Sequence, residues 1–203
     1  MKSFLILSLV LTASVSFAAG NAAIERSLEV TAGQQADFVQ KFTPKGFTRE
    51  RVEKGSVVFG EAPRMRWSYT APEEKVFVFD GSTSWLYAPA DRQVMIARLS
   101  EEDRKGLPFV ILSNADALRA SYEVRESTAN GVVTTRLTPK TTAALVRDLV
   151  VMTNARDGRL RRIEYSDRQG NRTVFEFANY RKASIGASTF RFDPPPGVEI
   201  VRQ

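Results

Sequence analysis

Between Arg64 and Leu99 the chain reads RMRWSYTAPEEKVFVFDGSTSWLYAPADRQVMIARL, and successive antiparallel strands joined by tight turns fit it best. Arg64, Arg66 and Ser68 alternate with Met65, Trp67 and Tyr69, the period of a strand with one wet and one dry face. Pro72 stops that strand. Lys75 to Asp80 (KVFVFD) resumes with four inner residues that are apolar on both faces. Asp80-Gly81 signals a turn. Ser84 to Tyr87 and Gln93 to Arg98 supply two further strands, separated by Ala88-Pro89 and Ala90-Asp91-Arg92. The result is a meander that the rest of the chain extends.

The chain has 203 residues and contains neither cysteine nor histidine. Met1 to Ala18 reads as a secretory leader: Lys2 is the positive region, Phe4 to Ala13 is nearly all apolar, and Ser16 and Ala18 are the small residues around a cleavage point. The apolar run falls short of the roughly 20 residues needed to span a bilayer. No cysteine follows it that could carry a lipid anchor. Export to a bacterial periplasm is therefore expected, with residues 19–203 as one domain large enough to bury a core without disulfides. Lysine and arginine number 29 against 23 acidic residues, a net charge of +6. The arginines are dispersed, so a nucleic-acid partner is not expected; acidic surfaces or anionic lipid fit the balance equally well.

Along the rest of the chain, Asn21 to Val30 reads as a short helix capped by Asn21, with Ile24 and Leu28 on one face. Gln34 to Phe42 fits helix or strand; the sheet-rich context favours a strand. Phe47 to Phe59 reads as a charged, edge-like strand with a bend or bulge at Gly55. Ser100 to Lys105 is polar, and the trio Glu101, Glu102 and Asp103 is expected to be a solvated loop. Pro108 suits the first turn of a short apolar helix through Leu112, although a strand also fits, and Leu118 and Arg119 suit a second helical turn. This insertion reads as a mobile cover. Tyr122 to Glu126 and Gly131 to Leu137 form a hairpin about Asn130-Gly131. Thr141 to Asp148 has no clear assignment. Leu149 to Thr153, Leu160 to Tyr165, Arg172 to Phe177 and Phe190 to Phe192 read as strands, and Val198 and Ile200 as a short tail.

Most catalytic schemes are poorly served. The sequence offers no imidazole base, no thiol, no phosphate-binding glycine loop and no convincing pair of carboxylates. No enzyme activity, metal or cofactor is expected. What exceeds ordinary alternation is apolar and aromatic surface. Either two packed sheets bury it, or a curved sheet keeps a dry side under the helices near Ile24 and Phe109, with Trp67, Phe77, Phe79 and Trp85 as wall or support.

In this setting an ordered set of motifs resembles the outer-membrane lipoprotein carrier family. The set comprises Phe38 and Gln40, Gly55, Pro63, Arg66-Trp67, Pro72, Asp80-Gly81, Trp85, Tyr87, Pro89, Gln93-Val94, Leu137-Thr138-Pro139-Lys140, Asp157-Gly158, and Phe190, Phe192, Pro194-Pro195 and Gly197-Val198. The resemblance implies a mainly β fold with short helices: a curved, incomplete antiparallel β-barrel of about eleven strands with a helical lid over an apolar cavity. It implies Met65, Trp67, Tyr69, Phe77, Phe79 and Trp85 as cavity or support residues, and Phe109, Ile111 and Leu112 as lid. It implies acylated lipoproteins as cargo, an inner-membrane ATP-driven lipoprotein-releasing transporter that loads them, and an outer-membrane lipoprotein receptor that takes them. A monomer is expected. One departure stands out: the family often places an arginine that helps hold the lid shut immediately before the matched Pro63, and here that position is Ala62. The alternative kept open is a lipid-binding periplasmic sensor or regulator on the same half-barrel; a structural envelope protein is a further rival.

Overall fold

The computed structural model describes residues 22–100, 108–142 and 144–203. The leader, its cleavage point, the Asn21 cap and the Glu101, Glu102 and Asp103 trio lie outside the described residues. Helix α1 (Ala22–Thr31) buries Ile24, Ser27 and Thr31. It ends at Gly33, which takes φ +77°, a conformation glycine adopts without strain, and whose N–H donates to the Phe59 carbonyl at 2.9 Å.

Six strands follow: β1 (Gln34–Thr43), β2 (Arg51–Phe59), β3 (Met65–Ala71), β4 (Lys75–Phe79), β5 (Thr83–Ala88) and β6 (Gln93–Arg98). The Asp80 carboxylate accepts from the Ser82 and Thr83 amides at 2.7 Å each, which makes Asp80-Gly81 a side-chain-locked turn. Helices α2 (Pro108–Leu112) and α3 (Ala115–Ser121) come next, α3 being capped by the Asn114 side chain. The remaining strands are β7 (Tyr122–Ala129), β8 (Val132–Pro139), β9 (Val146–Asn154), β10 (Leu160–Asp167), β11 (Arg172–Lys182) and β12 (Glu199–Arg202).

These twelve strands form one sheet in the order β12-β6-β5-β4-β3-β2-β1-β11-β10-β9-β8-β7. Residues 34–42 are strand, and residues 108–112 are helix. Three expectations need correction. The strand predicted from Phe47 begins only at Arg51, because residues 44–50 make the turn between β1 and β2. Phe190 to Phe192 is not a strand; it crosses the sheet's outer face as turn and irregular chain. The tail is itself a strand, and β12 pairs parallel with β6, so the sheet is mixed and has twelve strands rather than about eleven antiparallel ones. Proline-rich chain at 194–196 brings the tail back in the same direction as β6, which a four-residue pattern does not reveal.

Gly55 is required by a close approach. A Cβ there would lie 2.0 Å from the Ser68 carbonyl oxygen, and the β2–β3 register shifts at this point. The sheet is strongly bent. Five steps of strand order separate β3 from β9, about 24 Å if flat at the usual spacing. Yet Met65 of β3 and Val151 of β9 line one small void. Bending brings one face of the sheet around itself, and α1 and α2 pack into the concavity.

Candidate functional site

Strand alternation sorts the aromatic residues by face. Register places Val57 opposite Trp67, Trp67 opposite Phe77, and Met65 opposite Phe79, so Met65, Trp67, Tyr69, Phe77 and Phe79 share the inner face. Phe38 on β1 and Phe175 and Phe177 on β11 share it too. Trp85 does not. It stands opposite Val78, on the outer face, because a shift of one residue along a strand reverses the side.

The inner rings form a continuous nest. Phe38 meets Trp67 edge-on at 4.8 Å and Tyr69 at 4.9 Å, and Trp67 lies 5.1 Å from Phe175. Phe109 of α2 enters this nest, 4.9 Å from Trp67 and 5.5 Å from Phe175. Ring pairs at such distances contribute about 0.5–1.5 kcal/mol each beyond area burial. Leu112 is buried alongside, and Ile111 packs partly buried against the same cluster. The residues expected to form a lid therefore pack against the inner face of the sheet rather than standing above an open space. Beside them, among the described residues, lies a void of about 50 Å³, lined by Ile24, Leu28, Phe59, Met65, Leu112 and Ile163 among others. Ligand pockets usually offer about 300–1,000 Å³.

One end of the inner face is polar. Tyr69 donates its hydroxyl to Gln40 Oε1 at 2.8 Å, and burial, first, with nearby Glu53 and Tyr165 pushes that phenol well above its ordinary pKa. Lys75 bridges to the buried Glu53, and its ammonium lies 4.5 Å from the Tyr69 ring centroid. The hollow thus ends in neutral or paired polar groups rather than a free charge.

A second buried carboxylate fixes α1. Glu126 of β7 accepts from Thr135 Oγ1 at 3.1 Å and from the Ala23 amide at 3.3 Å, at the helix's positive end. Nothing in the local sequence separates Glu126 from the exposed Glu123; only the seating of the first turn of α1 over Glu126 does. Alternation along the strand expected at Arg172 to Phe177 puts Phe175 and Phe177 on one face without saying which, and Phe59 carries no signal beyond its apolar strand. At the departure from the family pattern, Ala62 is exposed, and the nearest arginine is Arg64. It pairs with Glu61 at 3.0 Å and lies 5.6 Å over the Phe190 ring, and together with Ala62 it lines the rim of the void that Phe109 and Leu112 also line.

The sequence pattern of the outer membrane lipoprotein carrier protein LolA family matches residues 29–193. An outer-membrane lipoprotein carrier protein from Xanthomonas oryzae pv. oryzae is 28% identical over 201 residues, covering 98% of this chain and 95% of its own. One from Photobacterium profundum is 32% identical over 200 residues, covering 97% and 96%. In fold, the chain is similar to an uncharacterized conserved protein from Thermus thermophilus, with TM-score 0.56 and 12% identity over 90% of this chain and 98% of that one. It is also similar to MucB, with TM-score 0.53 and 16% identity over 90% of this chain and 65% of that one. These two structures speak to the fold alone. With a family match over most of its length and full-length relatives, the chain belongs to the outer membrane lipoprotein carrier protein LolA family.

Proposed function

We propose that this protein is a periplasmic chaperone that takes the acyl chains of lipoproteins into the hollow now filled by α2, and carries them from the inner to the outer membrane. The observation that carries this reading is Phe109, seated among Trp67, Phe175 and Phe177 on a helix of only five residues. A stopper made of rings is replaceable by other hydrocarbon of similar bulk. The residual void of about 50 Å³ is too small for an acyl chain, so loading requires α2 to leave and the sheet to open. The incentive is large: each methylene kept from water is worth about 0.8 kcal/mol, so an acyl chain of about sixteen carbons does not cross the periplasm unaided. Binding without catalysis completes the reading, and the chain acts as a monomer. The sequence holds no phosphate-binding loop, so loading energy comes from an ATP-driven inner-membrane transporter, and an outer-membrane receptor draws the cargo off.

The test is capture and transfer of a labelled triacylated lipoprotein by residues 19–203. Wild type captures cargo from transporter-bearing vesicles and passes it to a membrane-bound receptor. Phe77→Asp, at a half-buried inner-face position opposite Trp67, keeps the fold and lowers capture. Capture without transfer would replace the carrier with a lipid-binding sensor; no capture at all would end the proposal.

A further inference from the structure

Phe47 is the most exposed large apolar side chain among the described residues, at 69%. It follows Gly46 in the connection between β1 and β2, and its amide donates to the Pro44 carbonyl at 3.1 Å, so the turn is tight. The turn is also braced. The Lys45 amide donates to Asn171 Oδ1 at 3.1 Å, and the Lys45 stem lies across Gly170, where an added Cβ would meet it at 3.0 Å. The β1–β2 turn and the β10–β11 turn therefore make one tip, at the end of β1 away from α1.

Three exposed cations belong to this tip: Lys45, Arg49 and Arg168. None of them is held in an ion pair among the described residues. Arg51, beside them, lies 5.2 Å over the Phe42 ring. The acids are fewer. Glu50 is exposed, and Asp167 is engaged by the Asn171 amide and side chain at 2.9 and 2.8 Å. Glu73 and Glu74 stand on the β3–β4 turn at the same end of the sheet, so the positive charge is local to the tip.

A single exposed ring is ordinary on a protein surface. A ring on a braced convex tip, collared by unpaired cations, is a more particular arrangement. A protein partner would have to supply a shaped pocket, and it would ordinarily meet a patch of several apolar residues. A headgroup layer is fluid, takes one aromatic ring without a preformed pocket, and presents phosphates to the surrounding cations.

We propose that this tip docks the protein on anionic bilayer surfaces, with Phe47 entering the headgroup layer and Lys45, Arg49 and Arg168 meeting lipid phosphates. The inference goes beyond the carrier reading and does not depend on it.

Because the chain has no cysteine, Phe47→Cys carries a single thiol for an environment-sensitive dye. The dye shifts to the blue on phosphatidylglycerol/phosphatidylethanolamine vesicles, not on phosphatidylcholine vesicles, and the shift is lost in high salt. A dye at exposed Ala129→Cys, on β7, does not respond. In co-sedimentation, Lys45→Gln and Arg49→Gln each lower partitioning about fivefold. Phe47→Ser lowers it as well, with the melting temperature unchanged. The proposal is overturned if wild type does not sediment with anionic vesicles, sediments equally with neutral ones, or is matched by its variants. It is also overturned if the Ala129 dye responds like the Phe47 dye. Loss of binding to a purified membrane protein on Phe47→Ser, without vesicle binding, would assign the tip to a protein pocket instead.

Discussion

The inner face of β3 and β4 is covered by α2, and the outer face of the same region is crossed by residues 184–193. Both covers bury aromatic surface, but they are fastened differently. The outer segment is tied at both ends by backbone hydrogen bonds. The Ala183 amide donates to the Gly33 carbonyl at 2.9 Å, and β12 pairs with β6 after the crossing. Between these points Phe190 is buried against Gly60, Phe192 lies 5.3 Å from Tyr87, and Arg66 donates to the Thr189 and Arg191 carbonyls. Among the described residues, helix α2 is held on the inner face by packing, chiefly through Phe109 and Leu112. An apolar face sealed by strand pairing stays sealed. Under the proposed carrier function, one sealed by ring contacts opens when other hydrocarbon competes.

Mutations on the two sides should separate these behaviours. Trp67 is 2% exposed and touches Phe38, Phe109, Phe175 and Phe177, so it belongs to both the inner core and the lid seat. Trp67→Ala should lower the unfolding free energy by about 3–5 kcal/mol in a urea titration. A loss below about 1 kcal/mol would mean the inner face is not core. Phe190→Ala should cost about 2–4 kcal/mol by the same measurement and leave lipoprotein capture unchanged; altered capture would break the division between fixed and movable covers. Phe109→Ala should cost less, about 1 kcal/mol, because a lid residue cannot stabilise the fold by more than the lid's own docking energy. It should also raise binding of a hydrophobic dye such as ANS. A full core-sized loss with no added dye binding would make α2 a fixed part of the core.

The smallest effect concerns the outer face of β1, β11 and β10, where ion pairs link Lys41 to Glu176, Glu176 to Arg162, Arg162 to Glu164, and Glu164 to Arg172. Burial alone would raise the Glu164 carboxyl, but hydrogen bonds from Arg172 and Arg162 outweigh it and hold the pKa below its ordinary value. A carboxyl depressed in the folded state adds stability that is complete above the ordinary carboxylate range and is lost as pH falls through the folded value. The melting temperature should therefore decline below about pH 4.5, and Glu164→Gln should flatten part of that decline. An unchanged acid limb in the variant would remove Glu164 from the account.

Much of the fold was legible because its signals are local. Asn130-Gly131 turns with φ of +50° and +73°, as a two-residue hairpin needs, and Asp157-Gly158 and Asp80-Gly81 likewise mark real turns. Gly55 marks a real register shift. Phe190 to Phe192 misled because two aromatics flanking one charge look like a strand edge, whereas here they anchor a crossing segment. The tail strand was hidden because its partner lies about a hundred positions earlier in the chain, where no local pattern can point.

The sequence by itself determined the strand-rich architecture, the short apolar helix after the meander, and family membership through motifs spread along the chain. Turn chemistry and side-chain alternation act over a few residues, so they are written where they act. The tertiary structure decided which alternate set faces inward, that Trp85 lies on the opposite side from Trp67, that Phe38, Phe175 and Phe177 complete the nest, and that Phe109 fills it. Those outcomes depend on how the sheet bends and on which distant segment covers each face, and both are settled only when strands far apart in the chain come together.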